Sequence, residues 1–176
     1  SRPKTIPAAI VPVIVGTASV ENGLTLHRFV LALVVSIALQ VGVNYANDYS
    51  DGIRGTDQNR IGPRRLVGSG LINANQVKLA AGISFLLAAI AGLVHAIMTS
   101  LWLIIIGYIA ILAAWFYTGG SRPYGYSGYG EVSVFIFFGL VATVGSSYVQ
   151  SQTIETISML CSVPVGLLAS ALLVVN

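Results

Sequence analysis

Charge is scarce in this chain: only 9% of its 176 residues are Asp, Glu, Lys or Arg. A soluble domain carries about a quarter, so a water-clad globule is excluded. Cysteine is limited to Cys161, which rules out an intrachain disulfide, and its place inside an apolar run reads as a packed thiol. No A-x-A-like site follows the first apolar run, so no cleaved leader is expected. A G-x-x-x-x-G-K-S/T run is missing too, which leaves a nucleotide-binding P-loop unsupported. No nucleic-acid partner is expected.

What is abundant is hydrocarbon. Hydrophobic residues reach 55% and the mean hydropathy is +0.83. Apolar runs fall near Ile6 to Val20, Phe29 to Asn47, Val77 to Met98, Leu101 to Tyr117, Val132 to Val149 and Ile157 to Val175. Most approach the ~20 residues a helix needs to cross a lipid bilayer. The expected fold is all-α: a polytopic transmembrane helix bundle with six spans. The first run contains Pro7 and Pro12, which remove backbone donors and bend it or confine it to part of the bilayer.

Basic residues orient the bundle. Arg2 and Lys4 precede the first span, Arg54, Arg60, Arg64, Arg65 and Lys78 lie between the second and third, and Arg122 lies between the fourth and fifth. These are loops of one face, and only Arg28 falls on the other. The positive-inside rule then places the N-terminus and both longer loops in the cytoplasm.

Asp48, Asp51 and Asp57 all lie in the first of those loops, at the mouth of the second span. An acidic residue beside hydrocarbon is costly to keep and marks an ion or substrate pathway. If the helix continues through Asp51, then Asn44 and Asp48, Asn47 and Asp51, and Asp48 and Asp51 are three or four apart and share a face. Magnesium takes oxygen ligands and is held by one or two carboxylates plus substrate phosphates and water. Arg and Lys can neutralise the remaining phosphate charge. The mixture therefore points to a metal diphosphate. Two plainer readings stay open: a water-facing turn that caps a helix, and a basic cluster that enforces topology or binds anionic lipid. Gly52, Gly55, Gly62, Gly68 and Gly70 let the loop bring backbone N–H groups to an anion, or merely punctuate it.

The run from Asn47 to Asp57, followed by Asn59-Arg60-Ile61-Gly62-Pro63-Arg64-Arg65, resembles the first aspartate motif of the UbiA superfamily of intramembrane prenyltransferases. Its nearest branch acts on 1,4-dihydroxy-2-naphthoate in menaquinone synthesis. Arg2-Pro3-Lys4-Thr5, and Tyr117-Thr118-Gly119-Gly120 through Gly130-Glu131, agree in order, so the resemblance covers essentially the whole chain. It implies magnesium-dependent transfer of an isoprenyl chain from an allylic polyprenyl diphosphate to that aromatic acid, with decarboxylation. It also implies a multi-pass protein of a bacterial cell membrane whose site faces the cytoplasm.

Carried over residue by residue, the resemblance implies Asn47, Asp48, Asp51 and Asp57 as magnesium ligands. Lys4, Arg54, Arg60, Arg122 and Asn44 would meet the diphosphate, and Asp48, Asp51 and Tyr117 would be catalytic. Two departures stand out. The superfamily's third aspartate falls at Gly55, with Asp57 two residues further on, and its second aspartate motif follows the sixth helix of about nine, where this chain stops at Asn176. Residues 1–176 thus read as a single transmembrane prenyltransferase domain, a fragment lacking that second motif.

Other side chains read more plainly. Tyr124, Tyr126 and Tyr129 suit an interfacial belt, and Trp102 and Trp115 mark the two interfaces, although tyrosine ring faces also stabilise an allylic cation. Gly82, Gly92, Gly107, Gly139 and Gly145 are candidate close-packing positions. His95 reads as a packed, hydrogen-bonded imidazole. Three other functions remain in play. A CDP-alcohol phosphotransferase shares the start of Asp51-Gly52-Ile53-Arg54-Gly55, but its alanine-arginine pair is missing here. A membrane transporter keeps its coupling residues near the midplane rather than the edge. A lipid-binding scaffold has no use for the carboxylates.

Overall fold

A computed structural model describes residues 5–21, 24–55 and 65–175. Among them every regular element is helical: α1 (Ile6–Ala18), α2 (Leu26–Arg54), α3 (Ala74–Met98), α4 (Trp102–Phe116), α5 (Gly130–Ser151) and α6 (Thr156–Val174), with a single 3₁₀ turn at Tyr124–Tyr126. Helices α2, α3, α5 and α6 are long and apolar enough to cross a membrane. The other two are apolar but shorter, 13 residues in α1 and 15 in α4. At ~1.5 Å per residue α4 reaches ~22 Å, against ~30 Å of bilayer hydrocarbon. Six spans were expected; the structure has four helices of crossing length and two short apolar ones.

The outside of the bundle is its greasy side. Along α3, Leu79, Ile83, Leu86, Ile90, Leu93 and Ile97 recur at helical spacing and are all exposed. So long an apolar stripe suits hydrocarbon and not water, and with four helices of crossing length the chain is an integral, multi-pass membrane protein.

Inside, small side chains let the helices approach. Ala46, Ala81, Ala114 and the Phe85 ring form one core between α2, α3 and α4. Val13, Ala32 and Val149 form another between α1, α2 and α5. Glycine makes three approaches possible. A Cβ on Gly42 would lie 2.5 Å from the Phe85 ring, one on Gly16 2.0 Å from the Thr143 carbonyl oxygen, and one on Gly139 2.7 Å from Gly166 Cα. Gly139 is thus a packing position as expected. Gly82, Gly92, Gly107 and Gly145 are not: nothing lies within 4 Å of a Cβ built there. Sequence spacing alone does not tell a glycine that meets a helix from one that borders open space, and Gly92, Gly107 and Gly145 border a cavity between the helices.

The middle of α5, Phe135–Val144, is wound as a π-helix. Its Thr143 hydroxyl donates to the Phe138 carbonyl five residues back, at 3.4 Å, and this widened wall meets α1 at Gly16. Past it, the Arg28 guanidinium at the start of α2 donates to the last carbonyls of α5, Val149 at 2.9 Å and Gln150 at 3.0 Å. Cations are favoured at helix C-termini, where carbonyls lack partners. The Gln150 side-chain oxygen accepts in return from the Thr25 amide at 3.0 Å. His95 is buried as expected, but among the described residues neither ring nitrogen has a hydrogen-bond partner. Trp102 is exposed at the start of α4, whereas Trp115 stacks on Tyr49 with ring centroids 6.4 Å apart.

Candidate functional site

Helix α2 runs unbroken past both aspartates and stops at Gly55, whose φ of 71° is left-handed. Glycine suits that position, which is the one where the superfamily's third aspartate is absent. Asn44, Asn47, Asp48 and Asp51 therefore all ride on one continuous helix. Both carboxylates are buried, Asp48 and Asp51 each 6% exposed. A water-facing turn, one of the plainer readings, is not what forms.

Buried carboxylates need donors, and the segment at 65–67 supplies them. Val67 packs on Gly52, where an added Cβ would sit 2.3 Å from Val67 Cγ1. This contact brings the Leu66 amide to 3.1 Å and the Val67 amide to 3.3 Å from the two oxygens of Asp48. Arg65 Nη1 lies 2.7 Å from Asp51 Oδ2. The Tyr126 hydroxyl donates to the other oxygen, Asp51 Oδ1.

The connection between α4 and α5 closes the other side. The Thr118 hydroxyl donates to Asn47 Oδ1 at 2.7 Å. Arg54 donates to the carbonyls of Thr118 and Gly120, with its guanidinium 5.7 Å from the centre of the Tyr126 ring. Tyr117 is held by two glycines. A Cβ on Gly125 would lie 2.5 Å from the Tyr117 carbonyl oxygen, and one on Gly130 would lie 2.9 Å from its hydroxyl. Its ring meets Tyr124 edge-on at 5.5 Å. Tyr126, expected in an interfacial belt, is also a partner of Asp51, and Arg65 is a partner that the spacing did not reveal.

Of the remaining expected residues, Asn44 points toward α1: its side-chain nitrogen donates to Thr5 Oγ1 at 2.9 Å, as does that of Gln40. Arg122 is exposed on the α4–α5 connection. Lys4, Asp57 and Arg60 lie outside the described residues. Beside Asn44 and Asn47 a cavity of about 820 Å³ opens between the helices. Asn44, Asn47, Tyr117 and Tyr124 line its polar end, and apolar residues such as Leu39, Ile106, Phe138 and Val141 line most of the rest, down to His95 and Trp102.

Two buried carboxylates lie one turn apart, with a guanidinium 2.7 Å from one of them. Among the described residues no third His, Cys, Asp or Glu joins them. Such a donor set fits a hard divalent cation that takes its other ligands from phosphate and water.

Tyr124 gives a pH test of the α4–α5 connection. Its hydroxyl donates to the Ala113 carbonyl at 2.8 Å and lies 3.0 Å from Ser133 Oγ. Burial raises its phenol above the ordinary value of 10.0, and the Ser133 contact offsets part of that. A raised value means the fold favours the neutral form, so this contribution is intact below the unfolded value and is lost as pH climbs through the folded one. Ultraviolet titration is expected to show a phenolate component above 10.0 that Tyr124→Phe lacks. At neutral pH the variant should lose about 1 kcal/mol of stability.

Comparison with known proteins follows the same lines. The profile described as "UbiA prenyltransferase family" matches residues 9–176. A Mycobacterium tuberculosis protein named 1,4-dihydroxy-2-naphthoate octaprenyltransferase is 49% identical, covering 100% of this chain and 61% of its own length. The Escherichia coli protein of the same name is 39% identical over 99% of this chain and 60% of its own length. A Synechocystis protein named 2-carboxy-1,4-naphthoquinone phytyltransferase is 33% identical over 98% of this chain and 56% of its own length. The chain thus spans about three fifths of the relatives it matches. No solved structure matches it significantly.

Proposed function

Because the chain belongs to the UbiA prenyltransferase family, we propose that the protein transfers an isoprenyl chain from an allylic polyprenyl diphosphate to 1,4-dihydroxy-2-naphthoate. The product, after loss of carbon dioxide, is a demethylmenaquinone precursor. The observation that carries this reading is that α2 holds the buried carboxylates of Asp48 and Asp51 within a turn of Asn44 and Asn47, which line the polar end of a large apolar cavity. A diphosphate belongs at the carboxylates and its hydrocarbon tail in the cavity.

Asp48 and Asp51, with Asn47 beside them and Asp57 as a further candidate, would hold magnesium, which supplies charge neutralisation for the departing diphosphate. Lys4, Arg60 and Arg122 are the proposed phosphate partners, and Arg65 stands close enough to Asp51 to join them. Arg54 and Asn44 are engaged with neighbouring groups, so we assign them to holding the site together. Tyr117 and Tyr124 turn aromatic rings to the cavity, where π-faces stabilise an allylic cation. Apolar walls keep out the water that would intercept it. The acceptor ring forms the new carbon–carbon bond at the carbon bearing its carboxylate. Breaking the bond to that carboxylate returns an electron pair to the ring and releases carbon dioxide.

All six helices are assigned to the membrane, with the aspartate end in the cytoplasm as the loop charges dictate. Residues 1–176 cover about three fifths of the relatives' length, so the test uses the full-length protein in proteoliposomes with a labelled polyprenyl diphosphate and dihydroxynaphthoate. A lipid-soluble naphthoquinol should form, and chelating magnesium should stop it. Consumption of a CDP-linked lipid, or solute movement with neither substrate consumed, would assign the site to a phosphotransferase or a transporter instead.

A further inference from the structure

We infer that the α4–α5 connection is a positioning element for the ligand-binding face of α2: the Tyr126 hydroxyl sets the orientation of Asp51 and the Thr118 hydroxyl sets that of Asn47. The inference rests on the proposed diphosphate chemistry at that face. Carboxylate and amide side chains on a helix rotate freely unless something holds them, and a site that must grip a charged ligand gains from groups already aimed. Here each receives one hydroxyl. Tyr126 donates to Asp51 Oδ1, which leaves Oδ2 as the oxygen facing positive charge, now that of Arg65. Thr118 donates to Asn47 Oδ1 at 2.7 Å. Asn47 borders the cavity, and with one lone pair of its oxygen taken by Thr118, the other is left for a cation and its amide N–H groups for a phosphate oxygen.

The two hydroxyls are themselves anchored. Thr118 is buried, and Arg54 of α2 reaches across to the carbonyls of Thr118 and Gly120 while its guanidinium lies by the Tyr126 ring. Arg54 comes one turn after Asp51, so the residue that fastens the connection belongs to the helix being aligned. Tyr126 and Thr118 do not themselves line the cavity and act through the α2 side chains they bond, which makes their role positional rather than catalytic.

The experiment is calorimetric binding of magnesium with inorganic pyrophosphate to the full-length protein, without an isoprenyl substrate. Tyr126→Phe and Thr118→Val are each expected to weaken binding about tenfold or more, the usual effect of losing a group that orients a metal ligand. Thr118→Ser, which keeps the hydroxyl, should bind like the wild type. Affinity for dihydroxynaphthoate, measured separately, should change in none of them. Wild-type binding in folded Tyr126→Phe and Thr118→Val proteins would overturn the inference and leave the proposed function standing. Equal loss for Thr118→Val and Thr118→Ser, or parallel loss of acceptor affinity, would also overturn it by showing a packing role. If the wild type itself binds no magnesium pyrophosphate, the functional reading fails first.

Discussion

Asp51→Asn in the full-length protein is expected to lower turnover by about a thousandfold or more, the scale seen when a group that stabilises transition-state charge is removed. The substitution is nearly isosteric, and its amide oxygen can still accept from Tyr126, so the hydroxyl contact alone does not disappear. What disappears is the negative charge. Arg65, 2.7 Å away, then faces an amide rather than a carboxylate, and breaking a buried ion pair from one side costs about 3 kcal/mol or more of stability. Two effects are thus mixed in one variant. Adding Arg65→Gln removes the other half of the pair. The double variant should regain most of the lost thermal stability while remaining inactive. A double variant that regained turnover would mean that Asp51 serves only as a counter-ion for Arg65.

Gly16→Ala should be the most damaging single methyl in the bundle. The added carbon would lie 2.0 Å from the Thr143 carbonyl oxygen and 2.9 Å from its carbon. Both are backbone atoms of the π-wound wall, so no side-chain rotation relieves the overlap and the helices must part. Overpacking of this kind costs about 3 kcal/mol. Gly82→Ala is the control, since its Cβ meets nothing within 4 Å and alanine is the better helix former by about 0.5–1 kcal/mol. Denaturant unfolding in detergent should separate the two variants clearly. Identical midpoints would show that α1 and α5 are not in contact at Gly16.

Much of this was legible beforehand for reasons particular to each residue. Apolar runs announce membrane helices because nothing else satisfies the backbone in hydrocarbon, and the three- and four-residue spacing of Asn44, Asn47, Asp48 and Asp51 placed them together once α2 proved continuous. Contacts that depend on how a loop folds back were not legible. Arg65 lies fourteen positions from Asp51 in the sequence, and Tyr126 lies seventy-five away. Tyr126 also sits among tyrosines that composition alone assigns to an interface. The five glycines singled out by spacing included one, Gly139, that meets another helix. Gly16 and Gly166 escaped notice because their partners are set by helix rotation. Lipid-facing and helix-facing positions are equally apolar, so hydropathy carries little information about that rotation.

Helix α2 is stitched at both extremities: Arg28 and Thr25 bind the end of α5, while Asn47, Asp51 and Arg54 bind the α4–α5 connection. It behaves as the fixed stave of a barrel. A guest of greater girth would then be admitted by displacing other staves. Helix α4, short and with Ala114 its only buried residue, is the one least constrained by its neighbours and the natural place for the wall to yield.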